Sequence, residues 1–324
     1  MQAQDYAMAK WAIGMRLPNA TDAGIEAALD AGQLIRLHIM RPTWHIVAAQ
    51  DVRWMLDLTA DRLNRTVGTM YRKLELDEAV FRQSNDLITK LLANGEEYTR
   101  AEIMAHLGKH GIVASDVRAA HLMFRAELDK IVCNGKRRGK QFTYTLFDAK
   151  VPAQSSISDE EALARLTLKY FTSHGPATER DFAWWSGLSL TDVRRGIQSV
   201  GDQLNSVSLL GKTYFFVEHS LPKEWNVTHC IHLLPAFDEY LVGYTDRSAA
   251  LEEYLQRVTI PIDGISKPTV IKAGKVVATW QRTIRKESIH IQVSDVSELL
   301  TQTELQAAVQ HYSDFYGIEV SVDI

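Results

Sequence analysis

Cysteine is scarce: 324 residues hold only Cys133 and Cys230, with no CxxC pair and no histidine at metal-ligand spacing beside either. A disulfide framework and a zinc knuckle are therefore excluded, and both thiols are expected to pack as small buried hydrophobes in a reducing compartment. Long apolar runs are missing too, since no stretch approaches the ~20 residues a membrane-spanning helix needs. The first residues lack the charged start and apolar core of a signal peptide, so a cytoplasmic protein that does not enter a membrane is expected. An excess of positive charge is also absent: 36 Lys and Arg face 40 Asp and Glu, a formal net charge of −4. A chain so balanced cannot hold a polyanion by its overall field, and any nucleic-acid contact must come from local basic patches.

What is present is a hydrophobic fraction of 46%, enough for several small units that each bury a core. Residues 77–94 carry apolar positions at helical spacing and stop at Gly95. Thr99-Arg-Ala-Glu102 has the form of a capping box and opens a second helix that runs out near Gly111. Ser115-Asp116 opens a third, carrying Val117, Leu122, Phe124 and Leu128 through Lys130. Then Ile131-Val-Cys133 and Phe142 to Phe147 flank a Gly-rich basic tip as a β-hairpin. Helix, helix, helix and hairpin is the winged-helix form of helix-turn-helix.

The order recurs. Ser158-Asp-Glu-Glu161 caps a helix ending at Gly175, Thr178-Glu-Arg-Asp181 caps the next, Thr191-Asp192 opens a third, and Val207 to Val217 reads as a hairpin. Ser115-Asp-Val-Arg118 and Thr191-Asp-Val-Arg194 match almost letter for letter. A more divergent copy stands first, with Thr21-Asp22 capping a helix to Ala31 and a hairpin, Leu34 to Met40 and Thr43 to Val47, turning at Arg41-Pro42. Unequal intervals indicate tandem domains rather than a solenoid. Beyond Pro222 the texture becomes strand-rich: 270–272, 276–283 and 288–293 form an antiparallel meander, followed by a helix from about Thr303 to Tyr316 and a last strand, 318–322. The expected fold is mainly α with β (α+β): winged helices at 1–76, 77–150 and 151–222, and a β-rich α+β domain at 223–324.

The tip Asn134-Gly-Lys-Arg-Arg-Gly-Lys140 has four cations and no acid. Lys136, Arg137, Arg138 and Lys140 are expected to meet phosphates, with Gly135 and Gly139 letting the backbone come close. Arg118, Arg194 and Arg195 lie early on the third helices, where guanidinium groups can read guanine edges or hold phosphates, and Arg41 stands at the first hairpin's turn. His229 and His232, with Asp238 and Glu239 nearby, invite a metal reading, but their spacing on a strand turns the histidines to opposite faces. No metal and no cofactor are expected. Trp184-Trp185, among Phe182 and Leu188, are expected to be core.

Several stretches together resemble the winged-helix DNA-glycosylase family of the AlkZ/YcaQ type: Gln2-Ala-Gln-Asp5, Arg41-Pro-Thr-Trp-His45-Ile-Val, Asp51-Val-Arg-Trp54, Arg138-Gly-Lys-Gln-Phe-Thr-Tyr144, Asp181-Phe-Ala-Trp-Trp-Ser-Gly-Leu188, Leu234-Pro-Ala-Phe-Asp-Glu-Tyr-Leu-Val-Gly-Tyr244 with Asp246-Arg247, and Gly274-Lys-Val-Val-Ala-Thr-Trp280. The resemblance covers nearly the whole chain in order. It implies three tandem winged helices forming a C-shaped channel for double-stranded DNA, completed by a C-terminal β-rich domain, in a monomer associated with the nucleoid. It also implies hydrolysis of the N-glycosidic bond of alkylated purines, including those in crosslinks, with Gln2 and Gln4 as the Gln-x-Gln pair and His45 as a further site residue. The family carries a helical segment ahead of this pair, whereas here it follows Met1 directly. The first winged helix is therefore expected to lack a helix and the pocket around Gln2 and Gln4 to be frayed. A non-enzymatic winged-helix regulator would select undamaged sequences instead, and a purely protein-binding role would give little salt-dependent DNA affinity.

Overall fold

Asp5 opens the first helix, α1 (Tyr6–Gly14), by accepting a hydrogen bond from the Met8 N–H at 3.0 Å, one of the amides a helix start leaves unpaired. In this computed structural model, residues 1–221, 231–260, 266–295 and 300–324 are described. No apolar stripe announces α1 in the sequence, because Met8 through Ala12 are all buried. Helix α2 (Asp22–Asp30) begins as expected, the Thr21 hydroxyl accepting from the Gly24 N–H at 3.0 Å. Strands β1 (Leu34–Ile39) and β2 (Arg41–Ala48) then form the expected hairpin, with a tighter turn. Met40, at φ 62°, makes the bend alone, and Arg41 is already paired with Ile39.

The 25-residue helix α3 (Ala49–Lys73) is the second unanticipated element. Its buried positions Val52, Met55, Thr59 and Leu63 recur at steps of three or four, but the charged residues between them dilute the pattern. Arg72 and Lys73 in its last turn suit the negative end of the helix dipole. Asp77 caps α4 (Glu78–Leu92) by accepting from the Val80 N–H at 2.9 Å. Short strand β3 (Tyr98–Thr99) leads into α5 (Arg100–Lys109), where Thr99 and Glu102 satisfy each other's amides as the capping box requires. Helix α6 (Asp116–Leu128) and strands β4 (Val132–Asn134) and β5 (Thr143–Leu146) complete the expected order, with sheet order β3-β5-β4. A single turn, α7 (Phe147–Lys150), follows.

Helices α8 (Asp159–His174), α9 (Glu179–Ser186) and α10 (Leu190–Val200) and the hairpin β6 (Asn205–Leu209) with β7 (Lys212–Phe216) repeat that order. One cap moves: Ser189, not Thr191, opens α10, its hydroxyl accepting from the Asp192 N–H at 3.1 Å. Asp192 therefore stands third in its helix while Asp116 stands first in α6. The letter match between 115–118 and 191–194 is thus out of helical register.

The remaining elements are β8 (Ile231–Leu234), α11 (Glu239–Val242), α12 (Glu253–Thr259), β9 (Thr269–Lys272), β10 (Lys275–Ile284), β11 (Ser288–Asp295), α13 (Gln302–Tyr316) and β12 (Glu319–Asp323). They build a sheet in the order β12-β11-β10-β9-β8. The meander from β8 to β11 is antiparallel, and β12 joins β11 in parallel, as a strand reached through a helical crossover does.

Contacts divide the chain into two units: residues 1–27, 167–185 and 189–324 in one, residues 28–166 and 186–188 in the other. In the first, the Trp11 ring meets Tyr312 and Phe315 edge-on or tilted at 4.8 and 5.2 Å, and its Nε1–H donates to the Leu233 carbonyl at 2.7 Å. Gly14 is needed there, since a Cβ would lie 2.1 Å from the Phe315 ring. In the second, the Arg36 guanidinium lies between the rings of Trp44 and Phe142 at 4.6 and 4.5 Å, a cation–π contact that fastens β1 to the loop before β5.

Candidate active site and nucleic-acid interface

The Gln2-Ala3-Gln4 segment is not frayed. Gln2 is 8% exposed and Ala3 fully buried, while Gln4 is exposed. What holds it is a carboxylate that the sequence reading weighed only as a metal ligand: Glu239 Oε1 accepts from the Gln2 main-chain N–H at 3.0 Å. The other oxygen accepts from the Trp185 Nε1–H at 2.8 Å, and His174 Nε2 lies 3.4 Å from it. The His174 ring stacks on Tyr170 at 4.7 Å, and Tyr170 donates to the Gly243 carbonyl. Burial pushes the Tyr170 phenol well above its ordinary range, so it is a neutral donor. A Cβ at Gly243 would lie 2.7 Å from the His174 ring, so glycine at this position lets the imidazole sit against α11. Beside Glu239, Asp238 caps α11 and takes both arms of Arg16 at 2.9 and 2.6 Å, a bidentate pair that fixes the chain at this bend.

Trp184 and Trp185 depart from the core expectation. Trp184 is half exposed, with its Nε1–H on the Val242 carbonyl at 3.0 Å, and Trp185 spends its own N–H on Glu239. On a two-turn helix, successive residues point about 100° apart, so Phe182 and Ser186, one turn apart, face the interior while Trp184 turns outward. The signal for Glu239 was present: Asp238-Glu239 lies within the stretch 234–244 that carried the family resemblance.

His45 sits on β2 opposite Leu37, 1% exposed, with its Nδ1 2.9 Å from the Thr43 carbonyl. With a carbonyl as its partner, Nδ1 carries the proton, which fixes the ring in the hairpin. Among the described residues no cluster of three or more His, Cys, Asp or Glu could hold a metal ion, and no helix is long and apolar enough to cross a membrane. His229 and Cys230 lie outside the described residues; Cys133 is buried, and burial pushes its thiol up to about 12.

The wing at 134–140 is less cationic than it looks in sequence. Folding brings Glu97 and Glu102 to its base: Glu97 accepts from the Lys136 N–H at 2.6 Å, and Glu102 takes two bonds from Arg138 at 3.0 and 2.7 Å. The Arg138 bonds, with those from the Thr99 N–H and hydroxyl, hold the Glu102 carboxyl down at about 2. Gly135 serves packing rather than phosphate approach, since a Cβ would lie 2.4 Å from the Thr143 hydroxyl and 2.8 Å from the Glu97 carboxylate. Gly139, at φ 62°, makes the turn. Arg118 is committed inward, donating to the carbonyls of Leu74 and Val113 and so closing the C-terminal end of α3. Arg194 pairs with both oxygens of Glu179, and Arg195 lies exposed, 3.4 Å from Asp192.

The sequence matches the family described as "DNA glycosylase AlkZ-like" over residues 1–315. The chain belongs to the AlkZ-like DNA glycosylase family. It is accordingly a DNA-repair hydrolase that acts on DNA. Its fold is also that of the solved DNA glycosylase AlkZ of Streptomyces sahachiroi, with a TM-score of 0.79 at 21% identity, over 100% of this chain and 90% of that one. Among curated proteins no match is found.

Proposed function

We propose that this glycosylase hydrolyses the N-glycosidic bond of purines alkylated at N7, including those in interstrand crosslinks. The observation that carries the reading is the Gln2-x-Gln4 segment tied through its main chain to the buried Glu239 carboxylate. An N7-alkylated purine is cationic, and breaking C1′–N9 returns the bonding pair to the ring and neutralises it. Water adds to C1′ and loses its proton to solvent. The enzyme therefore needs to orient that water and tolerate an oxocarbenium-like transition state, which the carbonyls of Gln2 and Gln4 and the charge of Glu239 can do. An amide cannot remove a proton as a carboxylate would, so unmodified purines, with poorer leaving groups, stay intact. His45 serves this reading by stiffening the β1–β2 hairpin.

The grip on double-stranded DNA is assigned to the winged helices at 1–76, 77–150 and 151–222, with 223–324 as the β-rich domain. Lys136, Arg137, Arg138 and Lys140 are its wing cations, with Arg41, Arg118, Arg194 and Arg195 as further contacts, Arg118, Arg138 and Arg194 also holding protein partners. Glu102→Gln keeps the capping box while releasing Arg138. It is expected to raise non-specific duplex affinity and to steepen the salt dependence by up to about one ion, at roughly 0.9 per phosphate. Anisotropy titrations between low and moderate salt measure both; an unchanged slope removes Arg138 from the interface.

The reading is tested by incubating the protein with a duplex containing one N7-methylguanine and another carrying an alkyl crosslink. Free 7-methylguanine, an alkali-labile abasic site and unhooking of the crosslink are expected, with unmodified duplex untouched. Sequence-selective binding of undamaged DNA without base release overturns it.

A further inference from the structure

The β6–β7 hairpin ends in a way its own stability does not favour. Leu209 pairs with Lys212, leaving a two-residue turn of Leu210 and Gly211 at φ 50° and 72°. Both are left-handed, as a type I′ turn requires, and the first position of that turn belongs to asparagine, aspartate or glycine. A leucine there bears backbone strain and, at 90% exposure, recovers nothing by packing. Behind it Leu209 and Val207 are 58% and 49% exposed and lie on one face of the ribbon, with Tyr214 opposite Val207. Strain and exposure at one apolar tip point to a use outside the fold.

The surroundings name the partner. No acidic residue occurs from 204 to 217, so a polyanion can approach the tip without repulsion from the hairpin. A groove of about 790 Å³ beside it is lined by Thr178, Arg180, Lys212 and Thr213 together with Glu179 and Asp246. Its hydroxyls and cations can take phosphates, with Lys212 and Asp246 paired at its edge. The wing at 134–140 is cationic and hydrophilic, whereas the tip of this hairpin, Leu209-Leu210, is apolar. A reaction at C1′ of a base-paired nucleotide needs that nucleotide out of the stack, and apolar side chains driven between base steps are how proteins hold such a gap open. We propose that the β6–β7 hairpin is an intercalating wedge: Leu210, backed by Leu209, enters the stack of duplex DNA and fills the space left by the extruded nucleotide. The inference rests on the glycosylase reading.

The test uses the full chain and a duplex with 2-aminopurine beside a tetrahydrofuran abasic analogue, a probe that binds without base release. Saturating wild-type protein raises 2-aminopurine fluorescence as the neighbouring bases unstack. Leu210→Asn installs a residue the turn prefers, so its thermal midpoint stays level or rises. It is expected to bind the probe within about threefold of wild type yet lose the fluorescence rise, while Leu210→Met keeps it. On N7-methylguanine substrates, Leu210→Asn should slow release from duplex by at least about tenfold and from single strand by no more than about twofold. An equal fluorescence rise with Leu210→Asn, or equal slowing on duplex and single strand, overturns the wedge. Failure of the alkylpurine reading looks different: no base is released by wild type, while the fluorescence rise and its loss with Leu210→Asn persist.

Discussion

Gln4→Ala is expected to slow release of 7-methylguanine by roughly 10²–10³-fold, the loss found when one preorganised polar group is removed from a reacting centre. The fold should be indifferent, because Gln4 is exposed and such substitutions shift stability by no more than about 0.5 kcal/mol. Single-turnover release under saturating enzyme reads the first quantity, and a thermal melt the second. Gln2→Ala makes the control, because Gln2 is buried and its main-chain N–H holds Glu239. That bond survives the substitution, so activity should fall with the segment still in place. Equal release by wild type and Gln4→Ala would remove Gln4 from the site.

The largest loss of stability is expected from Asp181→Asn. Asp181 is 3% exposed and accepts four hydrogen bonds: from the Thr178 N–H and hydroxyl at 2.9 and 2.7 Å, and from the Thr245 N–H and hydroxyl at 2.8 and 2.6 Å. An asparagine turns one accepting oxygen into a donor that faces two donors. With bonds to a charged group worth about 1.5–3 kcal/mol each, the loss should be about 3–5 kcal/mol, or a fall of roughly 6–15 °C in the midpoint. Burial alone would raise the Asp181 carboxyl, but the bonds from Thr245 and Thr178 outweigh it and hold it below its ordinary value. A depressed carboxyl stabilises the fold fully above the unfolded value of about 3.9 and loses that contribution as pH falls through the folded one. The gap between wild type and Asp181→Asn should therefore be constant from neutral pH down to about pH 5 and narrow in stronger acid. A gap that widened on acidification would contradict this account.

Residues with local, sequence-encoded roles were legible. Thr21, Thr99, Ser158, Thr178 and the hairpin segments announced their helices and strands through capping chemistry and alternation, and the structure places those elements within a few residues of the expected positions. Helices α1 and α3 were not, one because it is buried nearly all round and the other because charged residues interrupt its stripe. The candidate site was half legible for the same kind of reason. Gln2 and Gln4 came from a motif, whereas Glu239 joins Gln2 across 237 residues of chain, a contact that no local pattern encodes. The wing shows the converse error: its cations are contiguous in sequence, but Glu97 and Glu102 reach them only on folding.

The packing of Trp11 under Tyr312 and Phe315 bears on how the enzyme is made. A ribosome delivers the glutamine pair first and α13 some three hundred residues later. Synthesis at ~5–20 residues per second leaves the N-terminal segment waiting tens of seconds for the helix that covers Trp11. During that interval the apolar run of α1 has no permanent cover and is an obvious client for a chaperone. A nascent chain stalled before α13 would have translated Gln2 and Gln4 long before the helix that covers Trp11, so the fold around them closes only once α13 is made.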